Sequence, residues 1–247
     1  MRAYRGRVFR LDAHLERLYA SAKTLQVNIR TAPAELGRRL IKTLAASGVR
    51  EAMVRVALIP DAHRRADASI VVQPVPAPST ALYRRGIRVA VVPTRKFPIA
   101  QITPQAKFSN RLGSVLAILD VQLRQVDEAI FMDEMGLVTE STASNLAIVK
   151  HGTVLTPPCA IGLLSGITRQ VVLELADASG IPSGEIPLTR HDLYNADEAC
   201  LLSTLKEVLP VTSIDGRAVG TGKPGPVSRR LHRAFQALVR RELYEHH

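Results

Sequence analysis

The chain has 247 residues, 46% of them apolar, which is enough to bury a sizeable core in one large domain or two modest ones. Its net charge of +11 raises the question of nucleic acid, but the arginines are scattered as pairs without interleaved aromatics or metal-ligand spacing, so neither a nucleic-acid partner nor a metal is expected. The sequence has no signal-peptide pattern, no apolar run of about 18 residues and only two cysteines, so we expect a cytoplasmic protein without a membrane span.

The first 72 residues are typical of strands and helices in alternation. Residues 4–10 are predicted to form a strand with a tight turn at Arg5-Gly6, and Asp12 is expected at the N-cap of the helix that follows. Arg17 lies off the apolar stripe of this helix. The stripe consists of Leu11, Leu15, Leu18, Ala22 and Leu25. The remaining predicted elements are a helix over about 34–46 and paired strands at 51–59 and 68–72.

Closely spaced prolines make residues 74–85 the best candidate for an interdomain linker. Downstream, the predicted strands span 87–92, 129–132, 137–139 and 145–149, and helices are predicted after Asn110, Thr168, Asp192 and Pro226. Strands mixed with helices and joined by hairpins indicate an α+β protein. We expect a small N-terminal domain over 1–78 and a larger one over 79–247.

Three charged side chains are candidates for chemistry, each with a plainer alternative. Lys107 precedes an apolar helix and is either a solvated charge or a nucleophilic amine that forms a Schiff base. Glu140 ends a strand after a hairpin turn and is either an exposed carboxylate or the partner of a cationic ring nitrogen. Arg17 either binds a phosphate bidentately or lies in water.

Two further segments carry possible anion donors. Gly166 allows a ligand to approach the backbone closely, and the amides of Ile167 and Thr168 at a helix start suit a phosphate. The alternative is helix capping by Ser165 or Thr168. The Ser203-Thr204 pair is either a second set of hydroxyl and amide donors or a turn at the end of a strand.

Taken in order, these segments resemble the fold-type IV pyridoxal-phosphate enzymes, the class IV aminotransferases. That family includes branched-chain aminotransferases, D-amino acid aminotransferases and aminodeoxychorismate lyases. The matching segments are Arg7–Leu18, Ser21–Lys23, Lys107–Leu112, Val138–Asn145, Ser165–Arg169, Ser203–Pro210 and Gly222–Pro226. The resemblance covers essentially the whole chain. It implies a two-domain fold, with a small α/β sandwich domain and a larger β-barrel-like α+β domain that binds the cofactor, assembled as a homodimer.

The resemblance also implies pyridoxal 5′-phosphate as the cofactor and assigns roles to single residues. Lys107 matches the catalytic lysine that binds the cofactor, and Glu140 matches the carboxylate paired with the pyridine nitrogen. The other positions that match cofactor-binding residues are Arg17, Ile167, Thr168, Ser203 and Thr204. The substrate-binding side is assigned to Arg111, Leu205 and Lys206.

Three departures from the family pattern bear on function. Family members carry further strands ahead of residue 1, so the resemblance implies either that the true start lies upstream of Met1 or that the small domain lacks its opening strands. Arg111 stands where branched-chain enzymes carry tyrosine, which favours the lyases. Lys206 stands where they carry a small residue, and a cation there favours an anionic substrate. Conversely, the runs at 162–169, 188–198 and 215–226 look like those of bacterial branched-chain enzymes.

The resemblance therefore favours a transaminase that moves an amino group between an amino acid, with branched-chain L-amino acids first, and a 2-oxo acid such as 2-oxoglutarate. One alternative is an aminodeoxychorismate lyase that releases pyruvate and 4-aminobenzoate, and another is a D-amino acid aminotransferase. A non-catalytic protein with the same fold is the alternative from another class. It has no need of Lys107 and Glu140.

Overall fold

The computed structural model describes residues 1–75, 79–93 and 105–245. They form two compact units. The first lies within Met1–Pro78, Ala106–Phe108 and Leu238–His247, and the second lies within Ser79–Gln105 and Ser109–Ala237. The division into domains at residues 78 and 79 stays a prediction, because compactness does not test whether either unit folds independently.

The first unit is a five-stranded sheet with two helices. In chain order its elements are β1 (Arg2–Tyr4), β2 (Arg7–Val8), α1 (Leu11–Thr24), β3 (Asn28–Ile29), α2 (Pro33–Ala46), β4 (Ala52–Pro60) and β5 (Arg65–Pro74). The strand order is β2-β1-β4-β5-β3, and the antiparallel β4–β5 pair runs from Ala52↔Pro74 to Pro60↔Ala66. Leu15, Leu36 and Leu40 are buried, so both helices contribute apolar side chains to the core.

Three expectations for this region are corrected. The strand expected at 4–10 is a hairpin, because Arg5 and Gly6 both adopt positive φ angles and reverse the chain. Arg10 rather than Asp12 occupies the N-cap of α1, and Asp12 lies in the first turn, where its negative charge suits the helix dipole. Leu25 follows the last turn of α1 and is 42% exposed, so it lies outside the buried stripe.

The second unit contains the remaining strands and helices. They are α3 (Thr80–Arg85), β6 (Ile87–Val91), α4 (Leu112–Leu123), β7 (Glu128–Met132), β8 (Val138–Ser141), β9 (Asn145–Lys150), β10 (Thr153–Thr156), α5 (Ile167–Ala178), β11 (Ser183–Glu185), α6 (Arg190–Tyr194), β12 (Glu198–Ser203), β13 (Glu207–Ile214), β14 (Arg217–Ala218) and α7 (Pro226–Tyr244). A 3₁₀ turn spans Cys159–Ile161. The last turns of α7, from Leu238 onward, belong to the first unit.

Six strands of the second unit form a closed ring. The sheet order is β11-β10-β9-β12-β13-β6-β7-β8, and β8 also pairs with β9 through Glu140↔Asn145. The ring therefore runs β9-β12-β13-β6-β7-β8 and back to β9, with parallel β13–β6 and β6–β7 pairs. Its apolar side chains form one core that includes Val89, Ile130, Val138, Leu146, Leu201 and Leu209. The expectation of an α+β fold with a barrel-like unit is confirmed.

The predicted linker and two helix starts need correction. Of residues 74–85, Pro74 ends β5 and Thr80–Arg85 form α3, while 76–78 lie outside the described residues. Helix α5 begins at Ile167, one residue before the predicted Thr168. Helix α6 surrounds Asp192 instead of following it, because Thr189 caps the helix and exchanges hydrogen bonds with Asp192. Within the described residues, no helix combines the length and the apolar character needed to cross a membrane.

Candidate active site

Glu140 is a buried carboxylate at the end of β8, with 6% of its surface exposed. The Asn145 side-chain amide donates to Glu140 Oε2 at 3.1 Å, and the backbone N–H of Leu164 donates to the same oxygen at 3.2 Å. The turn that returns the chain to Asn145 is fixed by hydrogen bonds between Ser141 and Ser144. A carboxylate held in this way keeps one orientation, so the sequence alternative of an exposed Glu140 is wrong.

The segment that ends at α5 packs closely against Asn145. The Asn145 amide also donates to the carbonyl oxygen of Leu164 at 2.9 Å. Gly166 occupies the N-cap position of α5, and a Cβ there would overlap Asn145 Oδ1. Because Gly166 has no side chain, it cannot cap the N–H groups of the helix, and the first turn contains no acidic residue. Because the first N–H groups of a helix have no intrahelical partner, the amides of Ile167 and Thr168 suit an anion.

A second hydrogen-bonded group connects Arg111 and Lys206. The Lys206 ammonium lies 2.7 Å from Glu128 Oε2, and the Thr142 hydroxyl donates to Glu128 Oε1 at 2.5 Å. Arg111 donates to the carbonyl oxygen of Thr142 at 2.8 Å. Glu128 is only 6% exposed at its side chain. Lys206 therefore has its charge balanced by a buried carboxylate, which weakens the expectation that it selects an anionic substrate.

Strand register places these groups at one end of the ring. Asn145 pairs with Glu140 in β8 and with Leu202 in β12, so Ser203 follows directly beside the Asn145 position. Ser203 Oγ accepts a hydrogen bond from the backbone N–H of Lys206 at 3.2 Å, which closes a tight turn over Thr204 and Leu205. The four residues of this turn are all partly exposed, so the turn lies at the surface of its unit.

Lys107 and Arg17 belong to the first unit. The backbone N–H of Lys107 donates to Ser21 Oγ at 3.0 Å, and the Ser21 hydroxyl donates in turn to the Arg17 carbonyl oxygen at 2.8 Å. Ser21 is buried, whereas Lys107 is exposed. The backbone of the candidate lysine is therefore fixed on α1 while its side chain stays accessible.

The surroundings of Lys107 and Arg17 carry several positive charges and are partly shielded from solvent. Burial lowers the pKa of Arg17. His14, on the same helix, has its pKa lowered to about 2, first by burial and then by the positive charges of the chain's amino terminus, Arg17 and Lys107. His14 is therefore neutral at physiological pH. Surroundings of this kind favour an anionic group beside α1.

The chemistry of these groups fits pyridoxal phosphate. An accessible lysine amine suits its aldehyde, an oriented and buried carboxylate suits its ring nitrogen, and the start of α5 suits its phosphate. The structure brings Glu140, Ile167 and Thr168 together around Asn145 and describes Lys107 and Arg17 within the other unit. Within the described ranges, no cluster of three or more histidine, cysteine, aspartate or glutamate side chains is arranged to hold a metal.

Four residues that contact or lie near the candidate site groups were not singled out from the sequence. They are His14, Ser21, Glu128 and Asn145. His14, Ser21 and Asn145 lie inside the matching segments, but nothing in the sequence distinguishes them from ordinary helix or strand residues. Glu128 is far from Lys206 along the chain, so only the parallel β6–β7 and β6–β13 pairs bring them close.

Comparisons with known proteins agree with this arrangement. Residues 1–214 match the family model described as amino-transferase class IV. A Methanocaldococcus jannaschii protein with a provisional name as a branched-chain-amino-acid aminotransferase is 37% identical over 245 residues, covering 96% of this chain and 85% of the relative. The D-alanine aminotransferase of Bacillus licheniformis is 31% identical over 262 residues, covering 97% and 86%. A branched-chain amino acid aminotransferase of T.th., solved with pyridoxamine 5′-phosphate, superposes with a TM-score of 0.93 at 30% identity, covering 99% and 85%.

Proposed function

This chain belongs to the class IV aminotransferase family of pyridoxal-phosphate enzymes, and from that premise we propose that it transfers an amino group between a branched-chain L-amino acid and a 2-oxo acid such as 2-oxoglutarate. The observation that carries the proposal is the buried Glu140 carboxylate, oriented by Asn145 and Leu164 beside the start of α5. The similarity to branched-chain enzymes supports the choice of substrate.

Pyridoxal phosphate, when bound, supplies an electron sink for the electron pair that remains when the Cα proton of the amino acid is removed. Lys107 would hold the cofactor through Nζ. Once the substrate amine takes its place on the cofactor, the freed Nζ would accept the Cα proton as the general base. Glu140 would keep the ring nitrogen protonated, because a neighbouring carboxylate favours the cationic form. Arg17 would bind the phosphate bidentately.

The start of α5 and the turn at the end of β12 would complete the binding groups. The amides of Ile167 and Thr168, with the Thr168 hydroxyl, would donate to the phosphate. Ser203 and Thr204 would add further hydrogen-bond donors at the same end of the ring of strands. The substrate carboxylate would then meet Leu205, Lys206 and Arg111.

The cofactor and the reaction are tested by one spectrum. We expect the purified protein, saturated with the cofactor, to show a near-visible absorbance band that decays when L-leucine is added and returns with 2-oxoglutarate. Lys107→Ala is expected to lack the covalent band. Lys42→Ala, at an exposed position on α2, serves as the control substitution. A band that persists unchanged through a full panel of L-amino acids would contradict the proposed substrate class.

A D-amino acid aminotransferase is the second candidate, favoured by the similarity to D-alanine aminotransferases. D-alanine in the same spectral assay separates the two: bleaching by D-alanine and not by L-leucine selects the second. The lyase alternative was motivated by Arg111 and Lys206, and it loses the support of Lys206, because Glu128 neutralises that cation. Pyruvate release without any acceptor oxo acid would restore it.

We also propose a cytoplasmic homodimer that buries the outer face of α4. Leucines spaced four, three and four residues apart form an apolar stripe there, and they are 65%, 48%, 53% and 86% exposed at Leu112, Leu116, Leu119 and Leu123. An exposed stripe of this size marks an interaction surface. Light scattering is expected to show a dimer that Leu116→Glu/Leu119→Glu converts to a monomer. The free Cys159 and Cys200 suit a reducing compartment.

A further inference from the structure

The second unit contains a pocket of about 270 Å³ beside α3 and the first half of α7. Three arginines line it: Arg84 on α3, and Arg229 and Arg233 on α7. Among the described residues that line it, none is an aspartate or a glutamate. The pocket is therefore a concentration of positive charge, separate from the residues assigned to the transamination site.

Within the described residues, no acidic side chain balances the charge of these three guanidinium groups. Across the part of the chain that the structure describes, the side chains of Arg84, Arg229 and Arg233 make neither a hydrogen bond nor an ion pair. Other arginines, such as Arg10 and Arg169, lie within ion-pair distance of a glutamate. Because Arg229 and Arg233 are one helical turn apart, they repel each other, and a bound anion would offset that repulsion.

One wall of the pocket is a rigid pair of stacked rings. The rings of Tyr83 and His232 lie 4.0 Å apart between centroids and are inclined by 17°. The Tyr83 hydroxyl donates to the Lys206 carbonyl oxygen at 2.8 Å, and His232 Nε2 lies 2.9 Å from Glu207 Oε2. Tyr83 is thus held by the turn that follows β12, and His232 is held by the first residue of β13. They present a fixed surface and have little freedom to rearrange.

Two buried prolines, Pro210 and Pro224, complete the lining and add apolar surface. At the start of α7, the Glu198 carboxylate already accepts from the backbone N–H groups of Val227 at 2.9 Å and Ser228 at 2.8 Å, so these amides are not offered to a ligand. Positive charge in the pocket therefore comes from the guanidinium groups. Planar, multi-donor guanidinium groups bind phosphate and carboxylate oxygens in pairs.

We propose that this pocket binds a small aromatic anion, with its phosphate or carboxylate held by Arg84, Arg229 and Arg233 and its ring against the prolines and the Tyr83–His232 pair. The apolar wall favours a ligand that carries an aromatic ring, and the arginines favour one that is negatively charged. Because Tyr83 also holds the Lys206 carbonyl, an occupant contacts the same structure that orients the turn at 203–206.

The test is a calorimetric titration of the cofactor-saturated protein with phenyl phosphate, so that the phosphate position at the transamination site is already filled. We expect one saturable site per chain, at least about tenfold tighter for phenyl phosphate than for inorganic phosphate, and no binding of phenol. Arg229→Ala/Arg233→Ala is expected to weaken phenyl phosphate at least about tenfold. Arg240→Ala/Arg241→Ala removes equal charge from the same helix outside the pocket and should change affinity less than about twofold.

Three results would overturn the proposal. They are the absence of saturable phenyl phosphate binding, an equal loss in the two double variants, and equal affinity for phenyl phosphate and inorganic phosphate. Circular dichroism establishes that each variant is folded. Should the α7 double variant fail to fold, Arg84→Ala on α3 provides the same comparison against wild type. Binding is measured without turnover, so failure of the proposed transaminase activity leaves the result interpretable.

Discussion

Gly166 offers a sharp test of how the candidate site is held together. Its backbone is not strained, so Gly166→Ala changes only the space that a Cβ occupies. That Cβ would overlap Asn145 Oδ1 and lie 3.1 Å from Asn145 Cγ. Since Asn145 is buried, its side chain has to rotate away, and its amide then loses the hydrogen bonds to Glu140 and to the Leu164 carbonyl.

The cost follows from these contacts. Overpacking a close-packed position destabilises by roughly 1–3 kcal/mol, and losing a hydrogen bond to a charged group costs roughly 1.5–3 kcal/mol, so the free energy of unfolding should fall by about 2.5–6 kcal/mol. The freed Glu140 carboxylate should also turn, and cofactor affinity should fall with it. Urea unfolding gives the first quantity, and titration of the near-visible band with pyridoxal phosphate gives the second.

The matched control is Gly184→Ala in β11, where the new Cβ would lie 3.9 Å from Leu155 Cδ2, an ordinary contact. It should stay within about 1 kcal/mol of wild type. If Gly166→Ala unfolds at the wild-type urea concentration and binds the cofactor normally, then Asn145 does not orient Glu140 and the reasoning is refuted.

Three further predictions test single interactions. A double-mutant cycle of Glu128→Ala and Lys206→Ala by urea unfolding should give a coupling of about 1–2 kcal/mol, with Glu128→Ala the costlier single change because it also leaves buried donors unpaired. Asp192→Asn should cost about 1 kcal/mol at pH 7; hydrogen bonds from Thr189 lower the pKa of Asp192 below 3.8, so this difference should shrink as pH falls below 3.8. Burial raises the pKa of Cys200 to about 12, so a thiol reagent at pH 8 should label one cysteine in the folded chain and two in urea.

Each of these has a clear contrary outcome. A coupling of zero between Glu128 and Lys206 would mean that solvent screens the pair. A stability difference at Asp192 that grows toward acid would reverse the assigned direction of its pKa. Two labelled cysteines in the folded protein at pH 8 would mean that Cys200 is accessible to solvent.

Much of this structure was predictable because its elements carry local signals. The Arg5-Gly6 turn, the helix that begins at Pro226 and the hairpin between β7 and β8 all follow from turn residues beside apolar runs. The order of motifs was enough to indicate the family. The start of α1 was predicted at the wrong residue. Aspartate is a favourable N-cap residue, so Asp12 was expected to cap the helix, but Arg10 occupies the N-cap and Asp12 lies in the first turn.

Long-range contacts escaped prediction for a different reason. Nothing near Lys206 in the sequence indicates that Glu128 neutralises it, since the pairing depends on strand order in the ring. Likewise, Ser21 resembles an ordinary polar residue in a helix, and only the structure shows that its hydroxyl accepts a hydrogen bond from the Lys107 backbone N–H. Pairing of this kind is set by topology, and a single sequence carries no periodicity that reveals it.

The closed ring also constrains the order in which the chain acquires its structure during synthesis. Strand β6 emerges from the ribosome early, but one of its two neighbours, β13, ends at Ile214, more than a hundred residues later. Until then β6 exposes an unpaired edge of Ile87, Val89 and Val91, all buried in the finished fold. The nascent chain must therefore shield an apolar strand while about half of its residues are added, which makes β6 the segment for a chaperone to cover and the place where slowed elongation would promote aggregation.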